Sequence, residues 1–168
     1  MNFDVFRATY ETRPPRANVI KNSDELKQMS NDDGLSDFDI SAGKKAIFSD
    51  IPRTADSRGD IYLWAVTSAQ VPYALENAPF GKTLETGRIK HTNLTGGQPA
   101  HCGGELWFLS ESEILVGGDS GRYGPNSAEE LADVTQAFKS IGYRVASLGY
   151  DEDSGYSAKI LIGAPQWL

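Results

Sequence analysis

The sequence predicts an α+β fold: a mainly antiparallel sheet or partly closed barrel, one clear helix in the C-terminal half and a short helix near the N-terminus. Short apolar stretches alternate with Gly, Pro and Asp at hairpin-like spacing, which favours antiparallel pairing. Between residues 131 and 141, apolar side chains recur at helical spacing instead. The length of 168 residues is typical of one domain, so residues 1–168 are interpreted as a single domain.

The N-terminal part of the chain is predicted to hold one strand and one short helix. Apolar residues alternate in part over residues 2–10, as on one face of a strand, and the prolines that follow cannot extend a ladder. Asn22, with Glu25 three residues later, offers a capping signature that predicts a helix reaching about Met29. Residues 31–36 are acidic and turn-rich, and are interpreted as a loop.

Short strands separated by turn residues are predicted to build the sheet. They cover residues 45–49, 61–66, 71–75, 88–93, 105–109 and 113–117. Residues 143–150 and 158–162 are then predicted to form a closing hairpin around a turn at 151–155.

The clearest helix is predicted over residues 127–141. Ser127 and Glu130 form a capping box at its start, and Gly142 supplies the stop. Because apolar residues at helical spacing form one stripe, this helix should bury that stripe against the sheet. The stripe consists of Leu131, Val134 and Phe138.

Composition and charge narrow the classes of partner. The net charge is −7 and no basic stripe is visible, so nucleic acid is disfavoured, whereas a basic protein partner is compatible with this charge. No apolar run approaches the roughly 18 residues of a membrane span, so no membrane partner is expected. The lone Cys102 cannot form an intrachain disulfide, and no cleavable signal is visible. A cytoplasmic location, or export without a cleaved signal peptide, is therefore expected.

Three glycine-containing segments, at residues 91–97, 103–108 and 120–125, are the most informative part of the chain for chemistry. Glycine allows a backbone to approach a ligand closely or to adopt a positive φ. Polar side chains in these segments are expected to converge on one cleft, unless the segments are plain hairpin turns and strand ends. These side chains are His91, Thr92, Glu105, Ser120 and Tyr123.

The same segments resemble a module of polymorphic bacterial toxins and plant IQ-motif calmodulin-binding proteins. That pattern runs from His-Ser-Ser-Phe-Leu through Gly-Gly and Ala-Gly-Glu to Ser-Gly-His-Tyr-x-Pro before a helix. The similarity covers roughly residues 35–140, with residues 38–40 fitting more loosely. Here Arg122 replaces the family's His and Asn93 replaces its second Ser, so a mechanism that needs an imidazole at 122 does not carry over. The resemblance implies an effector-like or toxin-like setting rather than a particular reaction.

A second resemblance, at residues 5–15, is to the opening strand of cholera-like and pertussis-like ADP-ribosyltransferases. It implies that Arg7 supports a site for NAD, that Ser49 stands for the middle-strand Ser and that Glu105 is the catalytic carboxylate. Gly103 stands where a second acid would be needed for transfer to arginine. Simple NAD glycohydrolysis, or transfer to another acceptor, is therefore compatible with the pattern.

Two hypotheses follow. In the first, the chain is an NAD-dependent ADP-ribosyltransferase or NAD glycohydrolase of the effector type, and its site residues surround one pocket. In the second, it is a non-catalytic binding module, such as an immunity or interaction protein with an acidic docking surface. For the first hypothesis, the candidate catalytic residues are Glu105, His91 and Tyr123, and the candidate cofactor-binding residues are Arg7, Thr92, Ser49 and Ser120.

Weaker patterns favour structural roles. His91, His101 and Cys102 do not have the spacing of a structural zinc site, so no metal is predicted. A nucleophilic Cys102 would have to use His91 as its base, since neighbouring residues on a strand point to opposite faces. The acidic residues 151–153 lack the ligands of a calcium loop and are interpreted as a solvated hairpin tip. The three tryptophans are expected in the core.

Overall fold

The computed structural model describes residues 1–38 and 46–168. The strands are β1 Ser36–Asp37, β2 Tyr62–Val66, β3 Pro72–Leu75, β4 Cys102–Phe108, β5 Glu113–Gly117, β6 Arg144–Ser147, β7 Tyr150–Asp151 and β8 Tyr156–Ser157. The α-helices are α1 Phe3–Thr9, α2 His91–Thr95 and α3 Ala128–Ser140. Short 3₁₀ helices cover Ala17–Val19, Ser23–Leu26, Asn31–Asp33 and Pro79–Thr83.

Six strands form one mixed sheet in the order β1-β3-β2-β4-β5-β6. All neighbours in this sheet are antiparallel except β5 and β6, which are parallel and are connected through α3. The strands β7 and β8 form a separate two-stranded hairpin. The α+β class is therefore confirmed, and within residues 1–38 and 46–168 the sheet is open rather than closed into a barrel.

Both faces of the central sheet are covered, which is why β2 and β4 are buried along their whole length. Trp64 and Leu106 lie on one face, in an apolar cluster that also contains residues of α1 and α3. Leu63 and Ala65 lie on the opposite face and pack with Leu94 of α2. The sheet thus separates a helical layer from a layer made of α2, 3₁₀ turns and loops.

The prediction of a strand over residues 2–10 is wrong, because this segment forms helix α1. Asn2 caps the helix by accepting a hydrogen bond from the backbone N–H of Val5 at 2.9 Å. Phe3 and Phe6, three residues apart, are buried, whereas Val5 is 48% exposed. The helical period of the two phenylalanines therefore determines the structure, rather than the partial alternation of Phe3 and Val5.

The prediction of a strand over residues 88–93 is also wrong. Helix α2 begins at His91, and the Asn93 side chain accepts a hydrogen bond from the backbone N–H of Lys90 at 2.8 Å. Gly96, with a φ of +66°, ends the helix in the left-handed region. Polar capping and a glycine stop thus override the weak strand pattern.

Other boundaries differ in smaller ways. The helix predicted from Asn22 to Met29 is a single 3₁₀ turn, Ser23–Leu26, and the loop predicted at 31–36 contains a second one, Asn31–Asp33. The closing hairpin is wrong in its pairing, because β6 joins the main sheet and only β7 pairs with β8.

The predicted strand at 45–49 and the looser family match at 38–40 fall partly on residues 39–45, outside the described residues. The described remainder of that strand makes an isolated bridge between Phe48 and Phe108.

The C-terminal helix is confirmed. Ser127 accepts a hydrogen bond from the N–H of Glu130 at 3.1 Å, and the Glu130 carboxylate accepts one from the N–H of Asn126 at 2.7 Å. Leu131, Val134 and Phe138 are buried against the sheet, as expected. No helix in the described part of the chain combines the length and apolarity that crossing a membrane requires.

Candidate functional site

The candidate site is centred on the glycine pair of β4. His91 lies over this strand, and its Nε2 donates a hydrogen bond to the carbonyl of Gly104 at 2.7 Å. The imidazole is 5% exposed, and burial lowers the pKa of His91 to about 4. His91 is therefore neutral at physiological pH, with its proton on Nε2.

Tyr123 packs beside His91. A Cβ atom at Gly103 would lie 3.0 Å from the Cβ of Tyr123 and 3.3 Å from Cδ2 of His91, so both side chains use the space that this glycine leaves open. The Tyr123 hydroxyl donates to the carbonyl of Gln98 at 2.8 Å and contacts Oγ1 of Thr95 at 2.9 Å. These bonds join the turn before α3 to the end of α2.

Glu105 follows on the same face of β4 as Gly103. It is 4% exposed and forms an ion pair with Arg58. The Arg58 guanidinium lies 5.4 Å from the ring centre of Trp107 and donates to the carbonyl of Lys159 at 3.1 Å. Burial raises the pKa of Glu105 to about 7, although Arg58 acts in the opposite direction; Asp119 adds to the rise. Glu105 can therefore exchange a proton near neutral pH.

Arg7 does not join this group. It lies on α1, which packs on the opposite face of the sheet. Its guanidinium donates to the carbonyls of Thr67 at 2.8 Å and Gln70 at 3.1 Å, and pairs with Asp4 at 3.1 Å. These bonds hold the turn between β2 and β3 against α1, which is a structural role.

The remaining candidate cofactor-binding residues have different surroundings. The Ser49 hydroxyl accepts a hydrogen bond from the N–H of Asp60 at 2.9 Å, near the end of β4 that is distant from the glycine pair. The Ser120 hydroxyl accepts from the N–H groups of Arg122 at 3.3 Å and Tyr123 at 3.1 Å, which organises a turn. Thr92 is fully buried, and among the described residues its hydroxyl has no hydrogen-bond partner.

Arg122, where the toxin-like pattern has His, forms a buried ion pair with Glu25 at 2.6 Å. Its guanidinium also donates to the carbonyl of Val19 at 3.2 Å. Arg122 thus ties the Gly-rich turn before α3 to the 3₁₀ turn Ser23–Leu26. The sequence did not predict the ion pairs Glu25–Arg122 and Arg58–Glu105, because the two partners of each pair are far apart along the chain.

The structure does not bring together the residues of the zinc pattern or of the Cys102–His91 nucleophile pair. Cys102 and Gly103 point to opposite faces of β4, so the thiol lies in the helical layer and away from His91. Burial raises the pKa of the Cys102 thiol well above its ordinary value. In the part of the chain that the structure describes, no group of three or more His, Cys, Asp or Glu side chains is placed to hold a metal ion.

Comparisons with known proteins add no relative: the chain matches no family model, and neither a curated protein sequence nor a solved structure is significantly similar to it. The two resemblances in the sequence therefore stay predictions. The structure itself brings His91, Tyr123 and Glu105 to one face of β4. It places Arg7 behind the sheet and Ser49 at the far end of the strand.

Proposed function

We propose that this chain is a protein-binding module that docks on a basic partner through the β7–β8 hairpin. The observation that carries the proposal is the surface of this hairpin. Its tip presents the exposed acids Asp151, Glu152 and Asp153, and the adjacent Tyr156 is 75% exposed. Tyrosine is enriched among the residues that dominate binding energy at protein interfaces, and acidic groups steer a basic partner.

The hairpin tip is pre-organised, which lowers the entropy cost of binding. The Tyr150 hydroxyl donates to the carbonyl of Gly155 at 3.0 Å, and the Asp151 carboxylate accepts from the N–H of Asp153 at 3.0 Å. Hydrogen bonds from Ser154 and from the backbone lower the pKa of Asp151, so its negative charge persists into acid.

The internal hydrogen bonds of two predicted catalytic residues and of one predicted cofactor-binding residue agree with this proposal. His91 and Tyr123 donate to backbone carbonyls, and Arg7 donates to two backbone carbonyls and to the Asp4 carboxylate. Their hydrogen bonds fasten α2, the turn before α3 and the turn after β2. A binding module needs these residues only to hold the scaffold that carries the hairpin.

The test compares two immobilised variants that carry the same net charge. Glu152→Gln/Asp153→Asn removes two charges from the hairpin, and Glu111→Gln/Asp56→Asn removes two exposed charges elsewhere. Proteins retained from the source cells are identified, and the partner is purified and titrated. We expect a basic partner whose affinity falls at least about tenfold with the hairpin variant, and with added salt, but not with the control variant. Equal loss with both variants, or no retained basic protein, contradicts the proposal.

A second candidate is the NAD-dependent enzyme that the ADP-ribosyltransferase resemblance implies. The observation that favours it is Glu105, a buried carboxylate whose pKa lies at about 7 beside Arg58. With a pKa of about 7, this carboxyl group is partly ionised at neutral pH, and its ionised form can stabilise the oxocarbenium-like ribose as nicotinamide leaves. In this arrangement Arg58, and not Arg7, is the cation next to the carboxylate.

This candidate is tested by incubating the purified chain with NAD and measuring released nicotinamide. If Glu105 is catalytic, Glu105→Gln should lower turnover at least about 100-fold with little change in NAD binding. The exposed Glu111→Gln variant serves as the control. If the wild-type chain releases no nicotinamide, the NAD-dependent enzyme is excluded and the binding module is the remaining candidate.

A further inference from the structure

A polar cleft of about 410 Å³ opens beside the C-terminal end of β3. None of the residues predicted as site residues lines it. Its walls come from the end of β3, the 3₁₀ helix Pro79–Thr83 and the turn before α2. The lining residues are Glu76, Asn77, Lys82, Thr86, Gly87 and Arg88.

The walls of the cleft are held in place by backbone contacts. The N–H of Ile89 donates to the carbonyl of Glu76 at 3.3 Å, and the Thr86 hydroxyl donates to the carbonyl of Arg88 at 2.9 Å. A Cβ atom at Gly81 would lie only 2.6 Å from Cα of Arg88, so the 3₁₀ helix and the turn pack directly on each other. The cleft is therefore a formed feature rather than a gap between loose segments.

Two cationic side chains and one carboxylate line the cleft, although the chain carries a net charge of −7. The cations are Lys82 and Arg88, and Lys90 lies two residues after Arg88 in the sequence. Neither ammonium group has an ion-pair partner among the described residues. The one carboxylate in the lining, Glu76, is 3.9 Å from the Arg88 guanidinium, at the outer limit of an ion pair.

Lys90 lies near charges of both signs. Burial lowers the pKa of Lys90, and Arg122 and Arg88 lower it further, whereas Glu25 and Glu76 act in the opposite direction. Arg122 is already neutralised by Glu25. An anion bound beside Arg88 would reduce the repulsion between Arg88 and Lys90.

We propose that this cleft binds a small phosphorylated sugar or polyol, with its phosphate on Lys82 and Arg88 and its hydroxyl groups on Glu76 and Asn77. A guanidinium with an ammonium is a common pair for a phosphate group. The Glu76 carboxylate repels a bare anion but accepts hydrogen bonds from hydroxyl groups, so it selects a ligand that carries both. The volume lies within the usual range of small-molecule sites.

The test is calorimetric titration of the purified chain with ribose 5-phosphate, glucose 6-phosphate and glycerol 1-phosphate. Inorganic phosphate and free ribose are the comparison ligands. We expect at least one phosphorylated probe to bind at least about tenfold more tightly than inorganic phosphate, and free ribose not to bind. Lys82→Met and Arg88→Met should each weaken that binding at least about tenfold, as expected for a charge-assisted hydrogen bond. Lys139→Met, which removes an exposed lysine of α3, should leave it unchanged.

Glu76→Gln separates this proposal from simple attraction of anions. This variant should bind the phosphorylated probe more weakly and inorganic phosphate more tightly. The wild-type carboxylate accepts hydrogen bonds from the hydroxyl groups of the first ligand, whereas it only repels the second. Thermal unfolding of each variant verifies that it is folded. The proposal is overturned if no phosphorylated probe binds at about 10 mM. It is also overturned if Lys82→Met and Arg88→Met bind like the wild-type chain, or if Glu76→Gln affects both ligands alike.

Discussion

Gly104 illustrates, at the scale of single residues, what the glycines of β4 do. A Cβ atom at this position would lie 2.1 Å from the carbonyl oxygen of Gly117 and 2.6 Å from Cζ2 of Trp64. The sequence suggested that these glycines admit a ligand to the backbone. In the structure they allow the neighbouring strand and the Trp64 ring to approach closely. The prediction of a close approach to the backbone was therefore correct, but the approaching group belongs to the protein and is not a ligand.

Gly104→Ala should therefore destabilise the protein strongly. The added methyl group meets backbone and a buried ring, neither of which can move freely, and overpacking of this kind costs about 1–3 kcal/mol. Urea unfolding measures the loss. Gly121→Ala is the matched control, because the nearest atoms to its Cβ are 3.9 Å away, on Val19. A Gly104→Ala variant as stable as the control would show that β4 and β5 are less tightly packed than described.

The candidate site shows which residue contacts a sequence can reveal. Five side chains were expected to converge, and three of them, His91, Glu105 and Tyr123, lie on one face of β4. The glycine-containing segments at residues 91–97, 103–108 and 120–125 are what predicted this proximity. Arg58 was missed because its pairing with Glu105 spans 47 residues, and nothing local in the sequence marks such a contact.

At the scale of elements, helix α3 was predictable because every local signal agreed, whereas α1 was not. The capping residues, apolar stripe and glycine stop of α3 all indicate the same boundaries. In α1 two periods compete, since Phe3 and Val5 suggest a strand while Phe3 and Phe6 suggest a helix. The helix prevails because only the helical period buries both phenylalanines against the sheet.

Phe138 provides the test of how α3 is held. Its ring makes edge contacts with Phe3, Phe38 and Trp64 at centroid distances of 5.1, 5.2 and 5.3 Å. Phe138→Ala should cost about 3–5 kcal/mol, because it leaves a cavity between the two helices and the sheet. Lys139→Ala, at an exposed position on the same helix, should change stability little.

Hydrogen exchange gives an independent measurement. Amide groups of α3 should be among the most protected in the wild-type chain and should lose protection in Phe138→Ala. If α3 were the least protected element of the wild-type chain, it could not be the core helix described above.

The parallel strand β6 marks the limit of hairpin reasoning. Spacing between strands indicated a mainly antiparallel sheet, and all neighbours among β1 to β5 are antiparallel. A strand, a helix and a second strand in succession also indicate a parallel crossover, and that is how β5, α3 and β6 are arranged. The prediction of a closing hairpin assigned β6 to the wrong partner, because it was based only on the turn at residues 151–155.

At the scale of the whole molecule, two buried groups make stability respond to pH in opposite directions. The pKa of His91 is lowered by burial from 6.5 to about 4, so the unfolded chain binds the extra proton and stability increases as pH rises between these values. The pKa of Glu105 is raised from 4.5 to about 7, so the folded chain holds the extra proton and stability decreases as pH rises.

Between about pH 4.5 and 6.5 these two contributions should largely cancel. His91→Gln removes one of them, so the free energy of unfolding should then fall with rising pH relative to the wild-type chain, by up to about 1.4 kcal/mol per pH unit. Glu105→Gln should give the opposite slope. Urea unfolding across this range measures both. If both variants show the same slope as the wild-type chain, neither group titrates in the way its burial requires.

The contact between α1 and α3 joins two segments that are translated at different times. On the ribosome, Phe3 and Phe6 emerge on the order of ten seconds before Phe138 is added. Throughout that interval the first helix lacks the part of its binding surface that α3 contributes, including the Phe138 ring, so its two phenylalanines are only partly covered. A nascent chain arrested before α3 would thus display two phenylalanines as a chaperone target. Translation speed through the segment preceding α3 should influence the yield of native protein more than speed elsewhere.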